Sequence, residues 1–382
     1  MYKLLLRSVN PMQPPQTDTI NASPASARRR HVVVALESAC NGWGTGGESH
    51  QATANAVRLL LDPLSDELTL VSVKNRIPGP SRMMPAVPMP DKDIFCPADI
   101  QADEDARVRE LIDKAAHSSI FNNYHPSVHV LDPVGGVREA LVSFCKEREV
   151  DLLLLGPIRE ASGTIGALLR SLIGFGSVSE YMLHHLDVPI AVFHETEVGL
   201  SLGPTRKVLV CVDSLDDGGS ARGVVKWVVD NITPHGHRQE EIEIHIVSCA
   251  LRAPYDIVEG ECACAIGILH QEEAARDREM RRLAEEAVCS AKGFAVGLGV
   301  SESDLVTDVL EADGEVAGAV VNAVGRYAQR RGPFDVVALG KRADCGGVSR
   351  TLRHWLGDGS VSDGLSKALR DQGPIVIVPT GG

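Results

Sequence analysis

No apolar run in the sequence approaches the roughly 18 residues that a membrane-spanning helix needs. Runs such as residues 32–36 (VVVAL) and 208–212 (VLVCV) fall far short, so no membrane partner is expected. An excess of base is also missing. Lys and Arg number 38 against 51 Asp and Glu, a net charge of −13. A broad nucleic-acid footprint needs a basic face, so no nucleic-acid partner is expected either. Aromatic residues are scarce, with 7 Phe, 3 Trp and 5 Tyr, which leaves the 44% apolar content largely aliphatic. Nine cysteines, an odd number scattered over 382 residues, read as reduced intracellular thiols and not as a disulfide framework. These absences exclude a membrane protein, a disulfide mini-protein and a long disordered chain.

The length suggests two or three domains. Residues 1–30 stand apart: Lys3 and Arg7, a Pro- and Ser-rich stretch, then Arg28, Arg29 and Arg30, with Asp18 as the one acid. This is a disordered tail or, on the sharper reading, an organelle transit peptide. The expected location is therefore the cytoplasm, or an organelle (mitochondrion or chloroplast) if the tail is a transit peptide. Residues 199–205 (GLSLGPT) form a short linker. Residues 77–91, with Pro at 78, 80, 85, 88 and 90, form a stiff irregular insertion.

Between these segments the chain repeats itself. VVVAL and VLVCV are continuous apolar runs, as expected of strands buried on both faces of a parallel sheet. Each is followed by an acid (Glu37, Asp213), a serine (Ser38, Ser214), a glycine-containing loop and a helical pattern, at 52–61 and 221–229. Second strands follow at 68–73 and 242–249, and third strands at 128–131 and 306–310. Next come helices ending near Cys145 and Ala328, then DLLLLG (151–156) against DVVALG (335–340), and closing strands at 188–192 and 373–378. The second copy adds a charged helix at 271–292, with Met280, Leu283, Ala284 and Ala287 on one stripe. Strand and helix alternate throughout. The expected architecture is α/β, with two doubly wound, Rossmann-like open parallel sheets in tandem, at 31–197 and 205–380. Ligands of such sheets bind beyond the carboxyl ends of the strands, where strand order reverses.

The loop after the fourth strand carries the most chemistry. Gly163, Gly166, Gly176 and Ser177 are spaced G-x-x-G, nine residues, G-S. Glycines let backbone N–H groups approach phosphate oxygens, and the Gly-Ser pair opens a helix whose first N–H groups are unpaired. Ser177 and Ser179 add hydroxyl donors. The helix dipole contributes only about 0.3–1 kcal/mol, whereas micromolar binding needs about 8 kcal/mol. Adenine burial and several N–H bonds must supply the remainder. The second copy repeats the spacing with Gly346, Ser349, Gly359 and Ser360, a serine replacing the second glycine. In so acidic a chain, a phosphate site is expected to be local and built of backbone N–H groups.

The openings VVVALES (32–38) and VLVCVDS (208–214), the fourth strands DLLLLG and DVVALG, and two GSVS helix starts, each followed by a Pro-Ile-apolar strand, resemble the universal stress protein family. The resemblance covers nearly all of the chain beyond the tail. It implies a five-stranded parallel sheet per domain, dimer formation, and binding of ATP or AMP, alone or with Mg. By that resemblance Glu37 or Asp213 lies near the nucleotide, with Leu36, Ser38 and Val73 in the first copy and Val212 and Ser214 in the second. Gly156, Gly163, Gly166, Gly176, Ser177, Val178 and Ser179 would surround the phosphates. Their second-copy counterparts are Gly340, Gly346, Gly359, Ser360, Val361 and Ser362. The chain departs from the family pattern at Glu37, where the family has Asp. It departs again after Gly156, where the third residue on is Arg159 and the glycine spacing begins seven residues late.

Other motifs are weak. Residues 42–49 (GWGTGGES) have P-loop spacing, but Glu48 stands where Lys must be, and a carboxylate repels phosphate. Residues 214–220 (SLDDGGS) have the wrong order for a pyrophosphatase-type loop, and His235-Gly236-His237 lacks the spacer of a nucleotidyltransferase. Cys262 and Cys264, with His270 the nearest histidine, make a poor metal site. Cys40 carries no sign of thiolate stabilisation, and His184 and His185 cap or pack a helix end. Arg276, Arg278, Arg281 and Arg282 alternate with acids as a solvated helix face. No metal site and no catalytic residue are assigned.

The expected function is an adenine-nucleotide-binding stress-response regulator with little or no turnover. The alternatives are a nucleotide-free dimerisation or interaction module of the same fold, and an adenylyl-transfer or slow ATP-hydrolysing enzyme of the same superfold. Beyond the nucleotide, the expected partners are an unknown protein and either an internal pseudo-dimer or a homodimer through the last strands.

Overall fold

The computed structural model describes residues 28–36, 48–74, 97–158, 177–194, 205–213, 219–232, 241–252, 263–313, 316–341, 368–369 and 372–379. In the first half the strands are β1 (Arg30–Ala35), β2 (Asp66–Val73), β3 (Ser127–Leu131), β4 (Leu152–Ile158) and β5 (Ile190–His194). Its helices are α1 (Glu48–Leu60), α2 (Pro97–Ala116), α3 (Val137–Glu147) and α4 (Ser177–His185). The second half holds β6 (Thr205–Val212), β7 (Glu241–Arg252), β8 (Leu305–Asp313), β9 (Val336–Lys341) and β10 (Ile375–Pro379). Its helices are α5 (Gly219–Ile232), α6 (Ala263–Gly297) and α7 (Val316–Arg331).

The inner strands carry apolar runs because both of their faces are covered. In β1, Val32 and Val34 face one core while Val33 faces the other; β4 does the same with Leu152 and Leu154 against Leu153 and Leu155. One core packs against α1, α2, α5 and α6, the other against α3, α4 and α7. Each half is thus doubly wound, with helices on both faces of a parallel sheet.

The two five-stranded halves meet edge to edge. They share one ten-stranded sheet in the order β3-β2-β1-β4-β5-β10-β9-β6-β7-β8. Every described pairing is parallel except the central one, where β10 runs antiparallel to β5 with Val376 opposite Ala191. The seam is dry: Ile190, Ala191, Val192, Ile375 and Val376 are all fully buried. Both edges of β5 and of β10 are occupied, by β4 and β9 on the outer sides. The last strands of the two halves thus pair with each other within the chain, the internal one of the two expected arrangements, and neither keeps a free edge for pairing with a second copy.

The repeat is visible in single hydrogen bonds. At the start of β4, the Asp151 N–H donates to His31 O (2.8 Å) and Asp151 Oδ2 accepts from the His31 N–H (2.7 Å). At the start of β9, Asp335 makes the same pair of bonds with Lys207, both 2.8 Å. Leu153 N–H donates to Pro189 O and Val337 N–H to Pro374 O, both at 3.0 Å. Each fourth strand is therefore registered to its neighbours by the same residue types.

The first strands also carry equivalent arginines, and these reach across the seam. Arg30 Nε donates to Asp66 Oδ1 at 2.9 Å, and its Nη1 bonds Asn231 at the end of α5. Arg206, 7% exposed, donates to Leu59 O at the end of α1 at 3.3 Å.

Two expectations need correction. The charged helix is not an addition of the second copy, because α2 occupies the same place in the first. It is held by Val108, Ile112 and Ala115 at helical spacing, all at most 1% exposed. The second-copy helix, α6, is longer than 271–292; among its described side chains the buried ones are Ala284, Val288, Ala291 and Ala295. The Pro-rich segment 77–91, the linker core 199–204 and the tail 1–27 lie outside the described residues.

Candidate functional site

Strand order reverses between β1 and β4, since β2 and β3 lie to one side and β5 to the other. Open parallel sheets present their ligand crevice at this point, beyond the carboxyl ends. Leu36 closes β1 there: its N–H donates to Val71 O at 2.8 Å, and its carbonyl accepts from the Ser72 hydroxyl at 3.1 Å. Val73 ends β2 and is 7% exposed. The helix α4 returns from β4 to β5, which brings its amino end to the same carboxyl edge. It begins at Ser177, with Val178 half-buried and Ser179 buried. Leu36, Val73, Gly156 and the first turn of α4 are thus brought to one edge. Glu37, Ser38, Gly163, Gly166 and Gly176 lie outside the described residues.

Gly156 has a packing reason of its own. A Cβ there would lie 2.9 Å from the backbone oxygen of Phe193 and 2.9 Å from its ring. The register of β4 against β5 shifts just beyond, between Leu155 and Ile158. Absence of a side chain lets the bulged strand approach β5.

Sequence reasoning missed Lys74, the residue after Val73. Its ammonium is 2.8 Å from Asp132 and 3.1 Å from Asp105, and its side chain is only 14% exposed. The hydrogen bonds to Asp132 and then Asp105 raise its pKa above the ordinary lysine value. The one signal was a base directly after an apolar strand. Because two carboxylates hold it, this cation adds no free positive charge to the crevice.

The second half repeats the reversal between β6 and β9. Val212 is buried and Asp213 half-buried at the end of β6; Gly340 pairs with Val378. Burial first, and then the Asp213 charge, push the Cys249 thiol up to about 12. Ser214, Gly346, Gly359, Ser360, Val361 and Ser362 lie outside the described residues, as do Cys40, Glu48 with respect to its side chain, and Cys262. Because β5 and β10 are antiparallel, the two halves point their carboxyl ends to opposite edges of the sheet. The two candidate crevices therefore open away from one another.

Among the described residues, no group of three or more His, Cys, Asp or Glu side chains is placed to hold a metal ion, and no helix is long and apolar enough to cross a membrane.

Residues 29–194 match the sequence model of the Universal stress protein family. No curated protein matches the chain. Among solved structures, a functionally unknown protein from Pseudomonas aeruginosa PAO1 is 14% identical over 93% of each chain, with a TM-score of 0.47. A universal stress protein in complex with cAMP is 19% identical, over 44% of this chain and 100% of its own, with a TM-score of 0.24.

Proposed function

From the premise that residues 29–194 are a universal stress protein domain, we propose that the chain binds an adenine nucleotide, ATP or AMP, and serves as a stress-response regulator with little or no turnover. The observation that carries this reading is the strand-order reversal at β1 and β4, with Leu36, Val73 and the Ser177 end of α4 at one edge. Unpaired N–H groups at a helix start attract phosphate, and the buried apolar ends of β1 and β2 suit an adenine ring. Any Mg would arrive with the nucleotide.

Equilibrium dialysis of the full chain against ATP and AMP tests it. Saturable binding below about 1 mM is expected, weakened about tenfold or more in Ser177→Glu, which puts a carboxylate where phosphate must sit. No saturable binding in that range ends the reading.

Gly156 favours a second reading, an interaction module of the same fold that binds no nucleotide. In that case the strand-four glycine is retained for Phe193 alone. It expects no nucleotide-induced rise in melting temperature, and recovery of the same protein partner with or without ATP.

A further inference from the structure

The second half carries a cleft that neither carboxyl edge uses. It lies between β8, the last strand of the sheet, and α7, and has a volume of about 450 Å³. That falls within the range of small-molecule sites, roughly 300–1,000 Å³. Its walls hold Asp308 and Glu311 from β8 and Arg326, Arg330 and Arg331 from α7, and Tyr327 lies at its floor.

The charges of these walls do not cancel. Asp308 faces Arg331 at 3.8 Å. Glu311 is engaged by Arg252 and by Arg281, the latter at 3.1 Å. Arg326 and Arg330 make no ion pair among the described residues. They stand four apart on one helix, so both guanidinium groups emerge on the same face. Two forks side by side are suited to two anionic groups, each taken bidentately.

The floor beneath them is buried and hydrogen-bonded. Tyr327 is 2% exposed, and its hydroxyl lies 2.8 Å from His245 Nδ1. His245 Nε2 lies 2.7 Å from Glu243 Oε1. A carboxylate only accepts, so Nε2 carries the hydrogen, Nδ1 accepts, and the tyrosine hydroxyl donates to it. Phe334 packs edge-on to His245 with ring centroids 5.0 Å apart. A preformed floor under two guanidinium groups that no described residue pairs lowers the cost of ordering a bound anion.

We propose that this cleft is a second ligand site, taking a small molecule with two anionic groups, dicarboxylate or phosphorylated, one on Arg326 and one on Arg330. The assignment is independent of any nucleotide at the carboxyl edges.

Isothermal titration of the full chain with citrate and, separately, with pyrophosphate tests it, at about 0.15 M NaCl so that diffuse attraction is screened. The expected result is saturable binding of at least one probe, weakened about tenfold or more in R326A/R330A. Binding of citrate alone assigns a carboxylate ligand, and binding of pyrophosphate alone a phosphorylated one. Arg330→Gln, the milder change, should show an intermediate loss and serves if the double variant fails to fold. Equal binding by wild type and variants, or no saturable heat up to about 10 mM of either probe, overturns the proposal.

Discussion

At the scale of single residues, burial sets the chemistry. His245 is 1% exposed, and that burial lowers its pKa below the ordinary histidine value. Glu243 opposes the shift; Lys207 and Arg331 reinforce it, and Tyr327 caps the other ring nitrogen. With a lowered folded value, the unfolded chain takes up this proton first as pH falls. His245 therefore costs no stability above about pH 6.5, the unfolded value, and costs progressively more below it. His129, also lowered by burial, acts in the same direction. Urea unfolding at about pH 7.5 and about pH 5.5 should show a smaller acid-side loss in His245→Asn than in wild type. Equal losses would contradict the assignment. Burial likewise pushes the thiols of Cys145 and Cys249 up to about 12, and that of Cys211 further still. A thiolate is the reactive form. Brief alkylation of the native protein, read by mass spectrometry, should label the exposed Cys289 and spare these three. Gly156→Ala should cost about 1–3 kcal/mol by overpacking, because the new methyl meets the Phe193 backbone; an unchanged denaturation midpoint would contradict this.

At the scale of elements, legibility follows burial. β1, β4, β6 and β9 read clearly in the sequence because two faces are covered and each carries an unbroken apolar run. α2 did not, because the residues buried on its inner face among those described, Val108, Ile112 and Ala115, are interspersed with many charged ones. At the candidate site, Leu36, Val73, Val212, Asp213 and Gly340 were legible as strand ends. The contact between Gly156 and Phe193 was not, since it depends on how β4 bulges against β5. Nor was the binding of Lys74 by Asp105 and Asp132, which come from two other elements. The seam arginines were also invisible, since each finds partners from a different part of the chain. Arg30→Ala would leave the Asp66 carboxylate, 1% exposed, without its cation. Loss of about 3 kcal/mol or more is expected, measured by denaturant unfolding; a loss under about 0.5 kcal/mol would show that the pair is unimportant.

At the scale of the whole molecule, one continuous sheet makes the two halves a single structural unit, with both cores running across the β5–β10 seam. A protease site placed in the linker at 199–205 should yield two fragments that still co-elute on size exclusion; free separation would contradict a seam that holds without the covalent link. The antiparallel seam also sets where the candidate sites lie, with the two carboxyl-edge crevices on opposite edges of the sheet and the arginine cleft at the β8 border. The most direct test of the central claim is a crystal structure of the full chain with ATP. The account predicts nucleotide density beyond Leu36, with phosphates at the Ser177 end of α4. Density elsewhere only, or none at saturating ATP, would contradict it.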